Sequence, residues 1–124
     1  MSAPLVLPFG DLGIGDVPRV GGKNASLGEM VRALADAGVR VPPGFATTAD
    51  AYRLYVEANG IRPRLGEALA AFHDGAATLQ ETGTAIRRLF LDGELPPRLI
   101  VEIEAAYDLF AHQRDGVLKV AVRP

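Results

Sequence analysis

Two adjacent glycines, Gly21 and Gly22, precede a run of apolar residues at helical spacing, and this arrangement constrains the fold more than any other feature of the chain. The run occupies positions i, i+3, i+4 and i+7, which line one face of an α-helix. Its members are Leu27, Met30, Val31 and Leu34. Asn24 or Ser26 is expected to cap this helix, and Gly38 is placed to end it. The segment is therefore predicted to be a glycine turn that leads into an amphipathic helix.

Further helices are predicted where apolar periodicity is bounded by capping and breaking residues. One begins after a threonine cap at 47–48 and ends at Asn59-Gly60, and two more lie near 63–73 and 77–91. Pro96-Pro97 opens the clearest helix, because a continuous apolar stripe follows it. The stripe consists of Leu99, Ile100, Ile103, Ala106, Tyr107 and Phe110.

Strand signals are short and few. Leu5–Leu7 and 117–122 are apolar runs typical of strands, whereas 39–45 is interrupted by Pro42-Pro43-Gly44 and is expected at a sheet edge or in an extended connection. We therefore predict an α+β fold that is rich in helix. Its small sheet is expected to form from the Leu5, Val41 and Val117 regions.

Composition excludes several classes of function. The 124 residues carry 13 Lys and Arg against 15 Asp and Glu, a net charge of −2, which argues against a nucleic-acid partner. The chain has no cysteine, so thiolate metal sites and cysteine nucleophiles are excluded. No apolar run reaches the ~20 residues of a membrane helix, and Pro4 and Pro8 interrupt the region where a signal peptide would be apolar. A cytoplasmic protein with no membrane partner is expected.

The Gly21-Gly22-Lys23 segment has the chemistry of a phosphate-binding turn. Glycines allow close approach of the backbone to an anion, a helix start offers unpaired N–H groups, and lysine adds a full positive charge. The pattern is neither a Walker A loop nor a GxGxxG motif. A plain glycine turn with a solvated lysine stays open as the alternative.

Three segments resemble one enzyme family. Residues 16–30, 38–51 and Val120–Arg123 are similar to the phosphoenolpyruvate synthase (pyruvate, water dikinase) family, and more loosely to pyruvate, phosphate dikinase and the rifampicin phosphotransferases. The matching elements include VGGKNASLGEM, VPPGF and VAVR. The resemblance covers both ends of the chain and leaves a less distinctive helical middle from about 61 to 114.

The resemblance implies an ATP-grasp nucleotide-binding domain that uses ATP with Mg²⁺. It implies that Lys23 contacts the ATP phosphates, that Gly21 and Gly22 shape the loop, and that Arg123 reaches the phosphates from the end of a strand. These roles suit the side chains, since lysine acts as a point charge and arginine as a planar fork for phosphate oxygens.

The family continues beyond this arginine with a serine-rich run, a second ATP-grasp half bearing the acidic metal ligands, a phosphohistidine domain and a pyruvate-binding barrel. Here Pro124 replaces the first serine. We therefore expect residues 1–124 to be the N-terminal part of the ATP-binding domain, truncated, with neither metal ligands nor catalytic residues. His73 and His112 are expected to be structural, and the chain alone is expected to be inactive.

Two alternatives stay open at this point. Within the enzyme class, the complete protein could be a related dikinase or a rifampicin-type phosphotransferase, because the phosphate acceptor is selected elsewhere. In a different class, the chain could be a non-catalytic interaction module that associates with itself or with a complementary ATP-grasp half. An apolar face left by the missing half would favour this second reading.

Overall fold

The computed structural model describes residues 3–42 and 44–113, with side chains described as far as 109. In chain order the elements are strand β1 (Val6–Pro8), two 3-10 turns (Phe9–Asp11 and Ile14–Asp16), helices α1 (Val17–Val20) and α2 (Gly22–Asp36), strand β2 (Phe45–Thr47), and helices α3 (Ala49–Ala58), α4 (Ile61–His73), α5 (Leu79–Leu91) and α6 (Pro97–Gln113). The predicted helix-rich α+β fold class is confirmed.

β1 and β2 form a two-stranded antiparallel sheet. Its register pairs Val6 with Thr47 and Pro8 with Phe45. The pairing is extended beyond the ladder by the Phe9 N–H, which donates to the Gly44 carbonyl at 2.9 Å. β2 begins at Phe45, so the extended segment predicted at 39–45 overlaps the observed strand only at its last residue. The predicted strand at 117–122 lies outside the described residues.

The described residues fall into two compact units, and the first comprises 3–42, 44–52 and 97–113. Its buried apolar side chains include Leu5, Leu12, Ala25, Ala46 and Leu99. Distant segments meet at its sheet. The Leu5 N–H donates to a Glu102 carboxylate oxygen at 3.0 Å, and the Thr48 hydroxyl donates to the Pro4 carbonyl at 2.8 Å.

Thr48 also caps α3, as the sequence predicts. Its hydroxyl oxygen accepts from the Ala51 N–H at 3.2 Å. The apolar stripe of α6 is partly confirmed, because Leu99 is buried while Ile100 and Tyr107 are exposed. Tyr107 nonetheless contacts Phe45 edge-on, with ring centroids 5.1 Å apart.

The second unit comprises residues 53–96, where α4 and α5 lie against each other. The Tyr55 hydroxyl donates to the Phe90 carbonyl at 2.5 Å, and the two rings stack with centroids 6.3 Å apart. The Asn59 side chain donates to the Glu94 carbonyl at 3.0 Å and accepts from the Glu94 N–H at 2.8 Å. These bonds tie the segment after α5 to the end of α3. The helices predicted near 63–73 and 77–91 are present, with starts shifted by two residues.

Candidate functional site

Gly21 joins two helices at the predicted turn. Its N–H closes α1 by donating to the Val17 carbonyl at 2.8 Å, and its carbonyl opens α2 by accepting from the Ala25 N–H at 3.1 Å. Its backbone has φ +84° and ψ 163°, a conformation that side-chain-bearing residues rarely adopt. A glycine is therefore required where α1 ends and α2 begins.

The start of α2 has no side-chain cap. The first backbone N–H groups of any helix lack an intrahelical acceptor, so those of Gly22, Lys23 and Asn24 depend on another partner. All three lie at the positive end of the helix dipole. Gly21 and Gly22 are exposed, and the positions of their absent Cβ atoms have no neighbouring heavy atom within 4 Å. The helix start is thus open to a small anion.

Lys23 supplies a positive charge at this helix start. Its side chain is exposed and makes no hydrogen bond or ion pair with any residue in the described part of the chain. By contrast, the nearby Arg19 and Arg32 form ion pairs with Asp16 at 3.0 Å and with Glu29 at 3.2 Å. Unlike these two arginines, Lys23 therefore has no ion-pair partner in the described part of the chain.

The predicted cap at Asn24 or Ser26 is wrong. Gly21 occupies the cap position, because the helix begins at Gly22. The half-buried Asn24 instead turns back, and its side-chain N–H donates to the Val20 carbonyl at 2.9 Å. Spacing alone did not reveal this direction, because asparagine is common both at caps and in bonds to a preceding carbonyl.

Glu29 and Gly28 hold the preceding loop against α2. A Glu29 carboxylate oxygen accepts from the Ile14 N–H at 2.8 Å. One residue earlier, a Cβ on Gly28 would lie 2.6 Å from both the Cβ and the carbonyl oxygen of Leu12. The partner of Glu29, Ile14, lies 15 residues earlier in the chain and could not be read from local spacing. The loop therefore enters α1 from a fixed position.

The structure brings together three of the four predicted site residues, Gly21, Gly22 and Lys23, which are consecutive in the chain. Arg123 lies outside the described residues, so its role stays a prediction. Within the described ranges no three His, Asp or Glu side chains gather in a way that could hold a metal ion. His73 is exposed at the end of α4, beside the ring of Phe72, and the side chain of His112 is not described.

Among the described residues, no helix combines the length and the apolar character needed to cross a bilayer.

A helix-rich α+β framework with a glycine-flanked, uncapped helix start, and with a lysine that has no partner in the described part of the chain, is an arrangement suited to phosphate recognition. The chain belongs to the family described as pyruvate phosphate dikinase, AMP/ATP-binding domain, which matches residues 17–124. This confirms the resemblance noted from residues 16–30 and 38–51.

Individual relatives give the same result. The chain is 46% identical over 125 residues to a phosphoenolpyruvate synthase of Neisseria meningitidis, covering 99% of this chain and 16% of that protein. It is 49% identical over 119 residues to a phosphoenolpyruvate synthase of Pseudomonas aeruginosa, covering 95% of this chain and 15% of that protein. The corresponding Escherichia coli protein is 46% identical over 107 residues, which are 86% of this chain and 14% of that protein. The chain thus spans about one-sixth of the length of these curated relatives.

Proposed function

We propose that residues 1–124 are part of a nucleotide-binding domain and that the turn Gly21–Lys23 binds the phosphates of ATP. The observation that most supports this proposal is that the start of α2 has no side-chain cap and lies next to Lys23, whose ammonium group has no hydrogen-bond or ion-pair partner among the described residues. Backbone N–H groups and the helix dipole favour an anion there, and the lysine adds a full charge. The family description, an AMP/ATP-binding domain, supports a nucleotide as the source of the phosphates.

The residues divide this work by their chemistry. The exposed backbone at Gly21 and Gly22 admits a phosphate oxygen, and the N–H groups at the helix start donate to it. Lys23 neutralises part of the phosphate charge from a flexible stem. We propose that Arg123 adds a planar, two-pronged donor to the same phosphates. Since ATP is the proposed ligand, we propose the cytoplasm as the compartment.

For the whole protein, we propose the phosphoenolpyruvate synthase reaction. In this reaction, ATP, pyruvate and water give phosphoenolpyruvate, AMP and phosphate. The alternatives within the same class of enzyme are a related dikinase and a rifampicin-type phosphotransferase, which differ in the phosphate acceptor. Magnesium normally bridges phosphate oxygens in such transfers. The described residues include no cluster that fits a metal ion, so we assign no magnesium ligand and no catalytic step to them.

A titration of the 124-residue chain with magnesium-ATP, followed by backbone amide NMR signals, tests phosphate binding at the turn. We expect the signals of Gly21, Gly22 and Lys23 to shift, with weaker binding in Lys23→Ala. Arg62→Ala is the matched control, because Arg62 is exposed on α4 and has no hydrogen-bond or ion-pair partner among the described residues. Both variants remove one positive charge. Equal weakening in both would assign the effect to net charge and contradict the proposed site.

Catalysis by the chain alone is tested separately. We propose that it is inactive, because the described residues contain no metal-binding cluster and the matched region is a small part of the relatives. AMP release is measured with ATP and magnesium, with and without pyruvate. Pyruvate-dependent AMP formation that disappears in Lys23→Ala would overturn this proposal.

A second candidate, an interaction module, is favoured by a specific surface on α6. Val101, Ala105 and Leu109 follow at i, i+4 and i+8 and are all exposed, Val101 by 64%. We propose that this stripe associates with another copy of the chain or with a complementary domain half. Light scattering across a concentration series tests self-association, and mixing with the remainder of a relative tests the second form. A monodisperse monomer that does not bind the remainder would exclude this candidate.

A further inference from the structure

We propose that Asn24 is a positioning residue that holds the Gly21–Lys23 turn in its phosphate-binding conformation through the carbonyl of Val20. The inference rests on the proposed function of the turn. It concerns a residue whose side chain bonds to the end of α1 and is not assigned to the phosphates themselves.

The hydrogen bond of Asn24 spans the junction of the two helices. Its side-chain N–H lies 2.9 Å from the Val20 carbonyl oxygen, so it connects the first turn of α2 to the last residue of α1. Gly21 lies between the two ends of this bond. Among the described residues, no other side-chain hydrogen bond joins α1 to α2.

The junction needs such a constraint. α1 has only four residues, too few for a helix that is stable by itself. Gly21 is also the most conformationally permissive residue type, so the backbone of the junction has little intrinsic preference for φ +84°. The bond from Asn24 closes a short ring around Gly21 and thereby limits the conformations open to the turn.

The direction of the bond matters for an anion. Asn24 lies three residues beyond the cap position, Gly21, and among the described residues its side chain donates to the Val20 carbonyl and accepts from none of the first N–H groups of α2. Those N–H groups therefore stay available to an anion. Asn24 also engages the Val20 carbonyl oxygen, whose partial negative charge lies at the same junction. One side chain thus preserves the donors and satisfies a nearby acceptor.

The chain offers a matched control in Asn59. Its side-chain N–H donates to the Tyr55 carbonyl, again four residues earlier and again at 2.9 Å. This bond lies at the end of α3 in the second unit. Asn59→Ala therefore removes the same kind of hydrogen bond, together with its contacts to Glu94, without touching the turn.

The test compares the full chain with Asn24→Ala, Asn59→Ala and Lys23→Ala. Amide ¹⁵N relaxation and hydrogen exchange report the order of Gly21, Gly22 and Lys23 without nucleotide, and a magnesium-ATP titration reports binding. We expect Asn24→Ala to raise the mobility of these amides and to weaken ATP binding about fivefold, the factor that corresponds to one typical net hydrogen bond. Asn59→Ala should lower the melting temperature and leave both readouts at the turn unchanged.

Several results would overturn the proposal. Unchanged order of the three amides in Asn24→Ala excludes positioning by Asn24, and equal weakening of ATP binding by Asn59→Ala assigns the effect to overall stability. If Asn24→Ala fails to fold, Asn24→Asp is the second variant. Aspartate lacks the side-chain N–H donor, and its carboxylate is favourable in the first turn of α2. The order of the Gly21, Gly22 and Lys23 amides in this variant then decides whether the hydrogen bond positions the turn. If the unmodified chain shows no ATP response, the proposed function fails, while the order measured without nucleotide still decides the role of Asn24.

Discussion

Gly28 is a residue of α2 that lies directly against the backbone of the preceding loop. An added Cβ would lie 2.6 Å from the carbonyl oxygen of Leu12, a buried backbone atom that cannot turn away as a flexible side chain would. We therefore expect Gly28→Ala to lower the free energy of unfolding by about 1–3 kcal/mol, as overpacking does in a close-packed interior. Urea denaturation followed by circular dichroism measures the change.

Gly66 provides the control for this substitution. It lies within α4, and its added Cβ would meet no heavy atom within 4 Å. Alanine has the higher helix propensity, so Gly66→Ala should raise the free energy of unfolding by up to about 1 kcal/mol. The two substitutions are therefore expected to change the free energy of unfolding in opposite directions. A Gly28→Ala variant that is more stable than the unmodified chain would show that the loop moves to make room for the added Cβ.

Glu29 fixes the same loop by a hydrogen bond. Its carboxylate accepts from the Ile14 N–H at 2.8 Å and pairs with the exposed Arg32 at 3.2 Å. We expect Glu29→Ala to reduce the protection of the Ile14 amide against hydrogen exchange and to cost about 1 kcal/mol of stability, the value of a typical net hydrogen bond. Arg32→Ala removes only an exposed ion pair and should change stability by about 0.5 kcal/mol or less. Equal effects of the two variants would contradict this assignment.

At the scale of elements, α5 begins with a reciprocal cap. The Thr78 hydroxyl accepts from the Glu81 N–H at 3.0 Å, and the Glu81 carboxylate accepts from the Thr78 N–H at 2.9 Å. The hydrogen bond that the Thr78 N–H donates to the Glu81 carboxylate has the largest effect and lowers the pKa of Glu81. Hydrogen bonding by the Thr78 side chain to the same carboxylate lowers this pKa further. Each partner thus satisfies one of the N–H groups that a helix start leaves unpaired.

This cap makes the stability of α5 depend on pH. Because the pKa of Glu81 is lower in the folded chain than in the unfolded chain, its contribution is complete above the unfolded pKa and is lost as pH falls through the folded pKa. We expect Glu81→Ala to lower the melting temperature at neutral pH, with a difference that shrinks in acid. Gln80→Ala, an exposed control in the first turn of the same helix that removes no titratable group, should show no such convergence. A pH-independent difference at Glu81 would exclude the carboxylate as its source.

The elements differ in how far local sequence determines them. The helices follow from apolar spacing and from caps such as Thr48, because both signals lie within a few residues of each other. β2 is shifted beyond Gly44, since its partner and the preceding prolines decide where pairing begins. The turn Gly21–Lys23 is also predictable because it is contiguous. The backward bond of Asn24 is not, because a capping bond and a bond to a preceding carbonyl have the same sequence signal.

At the scale of the whole molecule, contacts between distant segments escape sequence reasoning. The Leu5 N–H meets Glu102 and the Arg98 side chain meets the Ala3 carbonyl at 2.7 Å, across more than 90 residues in each case. Apolar periodicity identified α6 but gave no information on which segment its polar residues would contact. Glu102 is absent from the predicted apolar stripe, and its carboxylate accepts a hydrogen bond from the backbone near the start of the chain.

Net charge gives the molecular-scale test of the ATP site. The chain carries −2 overall, so its average charge repels ATP, and attraction has to come from the local positive charge at Lys23 and the start of α2. Lys23 is exposed, and its attraction is therefore screened, since the Debye length falls from about 10 Å at 0.1 M salt to about 3 Å at 1 M. We expect the ATP affinity of the unmodified chain to fall several-fold over this range and to approach that of Lys23→Ala at high salt. Arg62→Ala should keep the full salt dependence. Calorimetric titration at several salt concentrations provides the measurement, and an equally steep salt dependence in Lys23→Ala would show that the attraction has another source.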